Sequence, residues 1–220
     1  LRQRFVAAHA LQRALLARCT GLLPHQVPLA AGPTGKPLPL PLADGGLLHH
    51  NLSHTGDWLL LAVSREGPVG VDIEQVGERG PLDDLARVVF SPPELQRWRA
   101  LPAHRQALAF HAGWTQKEAW LKAQGLGLGL AADGSEVSFR LGAGPVRLPG
   151  GGVAGGRTWC LPVGAARAPL LACVVAPGRQ PRIRLWRDGL LRAPATGTGR
   201  PRTAPGAPRP ASCWSARCPG

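Results

Sequence analysis

The stretch GVDIEQ, residues 70–75, places two carboxylates two positions apart inside an apolar run. It follows a turn-like REGP at 65–68, so the pattern predicts a strand over about 69–73. Alternate side chains of a strand point to opposite faces, so Val71 and Ile73 would share one face and Asp72 and Glu74 the other. Like charges on one face repel unless water screens them or a cation lies between them. The stretch alone therefore favours a solvated face and leaves open a divalent metal site.

A long helix is predicted over residues 104–124, where apolar positions recur among good helix formers and Gly125 follows as a stop signal. Its second half reads WTQKEAWLKAQG, residues 114–125. Glu118 and Lys122 are four positions apart and lie on one helix face, whereas Lys117 is turned away from them. An exposed Glu–Lys pair would be the ordinary interpretation, but the neighbouring tryptophans favour a partly buried face.

Lysine is rare in this chain. Among 26 basic residues, only Lys36, Lys117 and Lys122 are lysines, and arginine fills every other position. Lysine presents a compact ammonium, whereas arginine presents a wide planar fork, so a site that approaches a phosphate closely can require lysine. The three positions therefore mark candidate sites, although three residues do not exclude chance.

Three further motifs accompany the strand and the helix: GKP at 35–37, NLSHTG at 51–56 and FSPPEL at 90–95. In order and spacing, the five motifs resemble those of the 4′-phosphopantetheinyl transferases, specifically the two-half type of the surfactin-synthetase-activating group. The resemblance runs from about residue 4 to residue 177. Any one motif would be weak, whereas five in register are specific.

The resemblance implies an α+β fold of two similar halves related by a pseudo-two-fold axis. Each half would be a small antiparallel sheet packed on a long helix, with the active site in the cleft between the halves. The expected units are 1–67 for the coenzyme A pocket, 68–178 for the metal and catalytic residues, and 179–220 as a disordered tail rich in Arg and Pro. The glycine-rich stretch at 142–156 would be a flexible hairpin or loop. Because the chain begins with Leu1 and not Met, we expect it to be a fragment that lacks the start of the first half.

The implied reaction moves the phosphopantetheine arm of coenzyme A to a serine of an apo acyl or peptidyl carrier protein and releases adenosine 3′,5′-bisphosphate. By the resemblance, Mg²⁺ would be held by Asp72, Glu74 and Glu118. The implied catalytic residues are Glu118 as base, Lys122 on the phosphates, and Glu94 as an additional acid near the metal. The implied contacts of coenzyme A are Lys36, Asn51, Ser53, His54, Lys117, Lys122 and Arg4.

The formal net charge of +13 invites a nucleic-acid interpretation, but its distribution argues against it. Residues 179–220 contain nine Arg and one Asp, which leaves a net charge of only +5 on the first 178 residues. The five cysteines form no C-x-x-C pair, so neither a disulfide framework nor a zinc ribbon is indicated, and a reducing, cytoplasmic location is expected. No apolar run approaches the roughly 18 residues of a membrane span. We therefore expect a cytoplasmic protein without nucleic-acid or membrane partners, and the resemblance implies a monomer.

Two other functions remain open. One is a domain of this fold that binds carrier proteins or nucleic acid through its basic charge without chemistry, although its carboxylates would repel phosphates in the absence of a metal. A general Mg²⁺-dependent phosphohydrolase would release phosphate and leave the carrier unmodified.

Overall fold

The computed structural model describes residues 2–77, 81–126, 142–147, 153–161 and 169–177, and the side chains of 2–4, 142–147 and 153–154 lie outside the description. Helix α1 (Arg2–Thr20) and a short 3-10 helix (Pro24–Gln26) precede strands β1 (Leu40–Pro41), β2 (Leu47–Thr55) and β3 (Trp58–Ser64). Strand β4 (Gly70–Gln75) is followed by helices α2 (Leu82–Val89), α3 (Pro92–Arg99) and α4 (Ala103–Gln124). Strands β5 (Gly142–Arg147), β6 (Val153–Leu161) and β7 (Leu170–Ala176) complete the described chain.

The strands form two antiparallel sheets. The first has the order β1-β2-β3, and its β2–β3 hairpin pairs Thr55 with Trp58 at the turn. The second has the order β4-β7-β6-β5, so the first strand of this sheet pairs with the last strand of the described chain. The expected α+β class with two small antiparallel sheets and helices is confirmed. The predicted boundaries at residues 67 and 178 stay predictions, and the predicted disordered tail lies outside the described residues.

Each sheet buries apolar side chains against a long helix. In the first unit, Leu16 and Ala17 of α1 pack with Val27, Leu40 and Leu48. In the second, the inner face of α4 packs on Cys173 and Val175 of β7. The other face of the second sheet contacts β3, because Trp58, Leu60 and Ala62 pack against the cluster around Val71 and Ile73. The two sheets therefore share an apolar core.

Helix α4 is positioned at both ends by local features. Its first half forms an aromatic cluster with α2 and α3, in which Phe110 contacts Phe90 and Trp98. It ends at Gly125, whose left-handed backbone (φ of 75°) lets its N–H turn back onto carbonyls of the last turn. The predicted helix at 104–124 is thus confirmed to within one residue.

The structure bears on two sequence-based expectations outside the site. The glycine-rich stretch contains paired strands β5 and β6, so of the two interpretations the hairpin is correct for the part that the structure describes. Cys160 is disulfide-bonded, in contrast to the expectation that no disulfide is indicated, whereas Cys19 and Cys173 are free thiols. Over the described residues, no helix is both long enough and apolar enough to cross a membrane.

Candidate active site

Strand β4 presents its carboxylates to a cavity and its aliphatic side chains to the core. Val71 and Ile73 are 0% and 3% exposed and belong to the apolar cluster of the second sheet. Asp72 and Glu74 line a cavity of about 340 Å³. The predicted division of the strand into two faces is therefore confirmed, and its acidic face lines the cavity.

Helix α4 contributes one stripe of side chains to the same cavity. Trp114, Glu118 and Lys122 follow one another at intervals of four residues and all line it. Gly70 at the start of β4 allows the backbone of α4 to pack directly against the strand. A Cβ on Gly70 would overlap Ala119 O and the backbone nitrogen of Ala123, and would lie 2.9 Å from Ala123 Cα. The absence of a side chain at Gly70 therefore sets the distance between the acidic strand and the helix stripe.

Strand β2 closes the third side of the cavity with Leu52, Ser53 and His54. The Ser53 hydroxyl is buried and donates a hydrogen bond of 2.8 Å to Asp72 Oδ1. The cavity is therefore lined by residues of both sheets and of α4.

The Lys122 ammonium lies among the acidic groups of the cavity. Its Nζ is 2.6 Å from Asp72 Oδ1, 3.6 Å from Glu118 Oε2 and 3.2 Å from Ser53 Oγ, to which it donates a hydrogen bond. One positive charge thus offsets the repulsion between carboxylates of the strand and of the helix. The side chain of Lys122 is 28% exposed, so its ammonium can also reach a ligand in the cavity.

Two carboxylate oxygens in the cavity suit a hard cation. Among the described residues, no donor reaches Asp72 Oδ2 or Glu118 Oε1, although both atoms are buried. Buried carboxylate oxygens without a donor are costly, and carboxylates are the protein ligands that Mg²⁺ uses most. Within the same described ranges, no three His, Cys, Asp or Glu side chains are grouped so as to hold a metal ion as they stand. The chemistry of the carboxylates therefore fits Mg²⁺, while the position beside Asp72 is taken by the Lys122 ammonium.

Glu118 has a raised pKa. Burial is the main cause, and the nearby Asp72 charge adds to it, whereas the Lys122 ammonium acts in the opposite direction. A carboxyl group of this kind holds a proton more readily than an exposed glutamate does.

Glu94 and Lys117 do not line this cavity. Lys117 Nζ lies 2.8 Å from a Glu94 carboxylate oxygen, and the two side chains are 3% and 0% exposed. Glu94 also accepts a 2.8 Å hydrogen bond from the Ser91 backbone N–H and so completes a capping box at the start of α3. The Glu94 charge thus pairs α3 with α4 outside the cavity lining, and its role as an additional acid near the metal stays a prediction.

Lys36 and Asn51 also bind backbone groups outside the cavity lining. The Lys36 ammonium donates to carbonyl oxygens at the end of α4, and Asn51 Oδ1 accepts a 3.0 Å hydrogen bond from Val71 N. Arg4 lies in the first part of α1, and its side chain is outside the description. Of the predicted coenzyme A contacts, the structure thus brings Ser53, His54 and Lys122 to the cavity.

The sequence-based site omitted two residues of the cavity lining, Leu52 and Trp114. Trp114 could have been found, because it precedes Glu118 by four residues on a helix whose face was already assigned. Leu52 carries no such signal, since its place in the lining depends on how the first sheet meets the second.

Comparison with known proteins gives a consistent result. Residues 68–152, which include every predicted metal ligand, match the family model of the 4′-phosphopantetheinyl transferase superfamily. Over these residues the chain is similar to this superfamily, and the match covers less than half of the chain.

Several curated 4′-phosphopantetheinyl transferases are similar to part of the chain. HetI of a Nostoc species is 38% identical over 128 residues, which cover 58% of this chain and 54% of the relative. AcpT of Salmonella typhi is 42% identical over 113 residues, or 51% and 56% of the two chains. The enzyme of Bacillus subtilis is 33% identical over 137 residues, or 62% and 58%. The chain therefore spans little more than half the length of these transferases.

Proposed function

We propose that the protein transfers the 4′-phosphopantetheine arm of coenzyme A to a serine hydroxyl of an apo acyl or peptidyl carrier protein. The observation that carries this proposal is the meeting of Asp72, Glu74, Glu118 and Lys122 in one cavity. Carboxylates suited to Mg²⁺ beside a lysine ammonium are the groups that phosphoryl-transfer sites use to bind and neutralise phosphates.

The Lys122 ammonium binds the diphosphate of coenzyme A in this proposal, and Ser53 and His54 lie beside it. A diphosphate in the cavity would compete with Asp72 for the ammonium, which is partly exposed and carried on a flexible stem. The Lys36 and Lys117 ammonium groups and Asn51 Oδ1 do not contact coenzyme A in this assignment, because they bind groups within the protein.

Asp72, Glu74 and Glu118 are the residues that would hold Mg²⁺. When bound, the ion neutralises negative charge on the diphosphate and on the leaving group. The unpaired oxygens Asp72 Oδ2 and Glu118 Oε1 support this assignment.

Glu118 accepts the proton of the carrier serine, directly or through a water molecule. As the serine oxygen forms its bond to the phosphorus that carries pantetheine, the phosphoanhydride bond breaks and adenosine 3′,5′-bisphosphate leaves with the bonding electrons. The raised pKa of Glu118 makes it a better proton acceptor than an exposed glutamate once it is ionised.

The carrier protein is proposed to dock through acidic groups. The net charge of +5 on the first 178 residues favours a negatively charged partner surface and steers its approach. We propose that the enzyme acts on this partner as a monomer.

The test is to incubate the protein with coenzyme A, Mg²⁺ and apo carrier proteins, and to weigh the carriers by mass spectrometry. Transfer adds about 340 Da, the mass of the phosphopantetheine arm, to the carrier. Asp72→Asn should abolish most transfer, whereas Asp44→Asn, a matched change at an exposed ion pair with Arg65, should not. An unmodified carrier under all metals would favour a non-catalytic binding protein, and phosphate release without carrier modification would favour a hydrolase.

The metal assignment has a separate readout. Asp72→Asn should weaken binding of Mn²⁺, used as a paramagnetic substitute for Mg²⁺, when the titration is followed by electron paramagnetic resonance in the presence of coenzyme A. Unchanged Mn²⁺ affinity in this variant would contradict the assignment of Asp72 as a ligand.

A further inference from the structure

The Lys36 ammonium joins three parts of the chain that are distant in sequence. Its Nζ lies 2.5 Å from Lys122 O and 2.7 Å from Ala123 O, both in the last turn of α4, and 3.4 Å from Val69 O, just before β4. Three carbonyl oxygens thus surround a group that has three N–H donors and no acceptor. One side chain of the first unit therefore ties the end of α4 to the start of β4.

The last carbonyls of a helix need partners from outside the helix. In α4, Gly125 N donates to Lys122 O and Leu126 N donates to Leu121 O, which leaves acceptor capacity at the last turn. A cation at this end also interacts favourably with the helix dipole. The Lys36 ammonium supplies both hydrogen-bond donors and a positive charge at this helix end. Burial lowers the pKa of the ammonium, in keeping with a group enclosed by protein.

The loop that carries Lys36 is itself held in place. Gly32 N donates to Lys36 O at 2.8 Å, and Ala31 and Pro37 form an isolated bridge around the turn. The stem of Lys36 lies over Gly125, where an added Cβ would be 3.1 Å from Lys36 Cδ. The contact between loop and helix end is thus close along the whole side chain.

We propose that Lys36 is a positioning residue, which fixes Lys122 in the cavity through the Lys122 backbone carbonyl. The Lys122 backbone carbonyl accepts a hydrogen bond from the Lys36 ammonium, while the Lys122 side chain places its own ammonium beside Asp72 and Ser53. Loss of the Lys36 ammonium frees the last turn of α4 and so reduces the time that Lys122 spends beside the carboxylates. The inference rests on the proposed function for its catalytic consequence and not for the contact itself.

The first test is hydrogen exchange of the ligand-free protein, followed by mass spectrometry of peptides that cover residues 119–126. Lys36→Met keeps the length of the stem and removes the ammonium. Exchange in the last turn should rise by about tenfold or more, as expected for loss of charge-assisted hydrogen bonds, while exchange in β2 stays unchanged. The matched control is Arg65→Met, which removes the same charge from an exposed position of the first unit.

Unchanged exchange in the last turn of Lys36→Met would overturn the proposal. Unchanged exchange together with weaker coenzyme A binding would point to direct contact of Lys36 with coenzyme A. Should Lys36→Met fail to fold, Lys36→Gln provides the same comparison, because the shorter neutral side chain reaches fewer of the carbonyls. Wild-type protection of residues 119–126 in that variant would equally overturn the proposal.

The second test is the carrier assay. Lys36→Met should lower kcat/KM for coenzyme A by about tenfold, and Arg65→Met should leave it unchanged. If wild-type protein transfers nothing, the proposed function fails, but the exchange experiment still decides whether Lys36 holds the helix end. Normal kcat/KM together with increased exchange would overturn the link between Lys36 and the cavity.

Discussion

Two of the three lysines place their ammonium where several acceptors surround one nitrogen. Lys122 lies beside Asp72 and Ser53, and Lys36 lies among three backbone carbonyls. Lys117 is buried against Glu94. A compact ammonium fits such positions better than a planar guanidinium does. The rarity of lysine thus marked structurally demanding positions, but phosphate binding is proposed for only one of them.

The Glu94–Lys117 pair can test whether a lysine of this chain stabilises the fold or binds coenzyme A. Lys117→Met leaves the Glu94 carboxylate buried without its cation, so we expect a loss of about 3–5 kcal/mol in the free energy of unfolding. The double variant with Glu94→Gln should recover part of this loss, because glutamine is neutral and still offers an oxygen to Ser91 N. The measurement is urea unfolding of both single variants and the double variant. Full stability of Lys117→Met with loss of carrier modification would instead support the sequence-based assignment of Lys117 to coenzyme A.

At the scale of elements, the distance between β4 and α4 decides whether the site exists. The strand carries two of the predicted metal ligands and the helix carries the third. Asp72 and Lys122 reach each other because the helix backbone lies directly over Gly70. The glycine of the GVDIEQ stretch is therefore a packing requirement for the carboxylate that follows two positions later.

Gly70→Ala should separate the two elements. The added methyl group would meet backbone atoms of Ala119 and Ala123, which cannot rotate away as a side chain can. We expect a loss of about 1–3 kcal/mol or more of stability, measured by urea unfolding, together with reduced carrier modification. Gly32→Ala is the control, since a Cβ there would meet only ordinary contacts at 3.5 and 3.6 Å. Equal stability of the two variants would show that α4 can move without cost.

At the scale of the whole molecule, side chains join the two sheets, since among the described strands no backbone ladder runs between them. Strand β4 is at the edge of its sheet, and its backbone N–H at Val71 is bound by Asn51 of β2. Ser53, two residues further along β2, donates a hydrogen bond from its hydroxyl to the Asp72 carboxylate. These contacts bring the lining residues of β2 to the acidic strand.

Asn51→Ala should weaken this junction. The Val71 N–H would remain buried without an acceptor, at a cost of about 1–3 kcal/mol in the free energy of unfolding. Thr20→Ala removes a hydrogen bond that lies within α1, to Leu16 O, and should have a smaller effect. The comparison is made by thermal unfolding of the two variants. A larger loss for Thr20→Ala would contradict the role of Asn51 between the sheets.

The sequence by itself determined the local structure and pointed to the similarity with the 4′-phosphopantetheinyl transferases. The period of two residues in GVDIEQ predicted which side chains enter the core, and the helix at 104–124 was predicted with its glycine stop. These features depend on residues near one another in the chain, so their patterns are visible without a fold. The metal ligands Asp72, Glu74 and Glu118 stay a prediction, although the structure brings all three to one cavity.

Only the tertiary structure decided which polar residues face the cavity and which hold the protein together. Four polar residues of the predicted site have their partners within the fold, although they belong to the same set of motifs as Asp72 and Lys122. They are Lys36, Asn51, Glu94 and Lys117. The partner of Lys36 is a helix end 86 residues away, and no local pattern encodes such a contact. A buried polar group takes whatever partner packing brings within reach, and packing is a property of the whole chain.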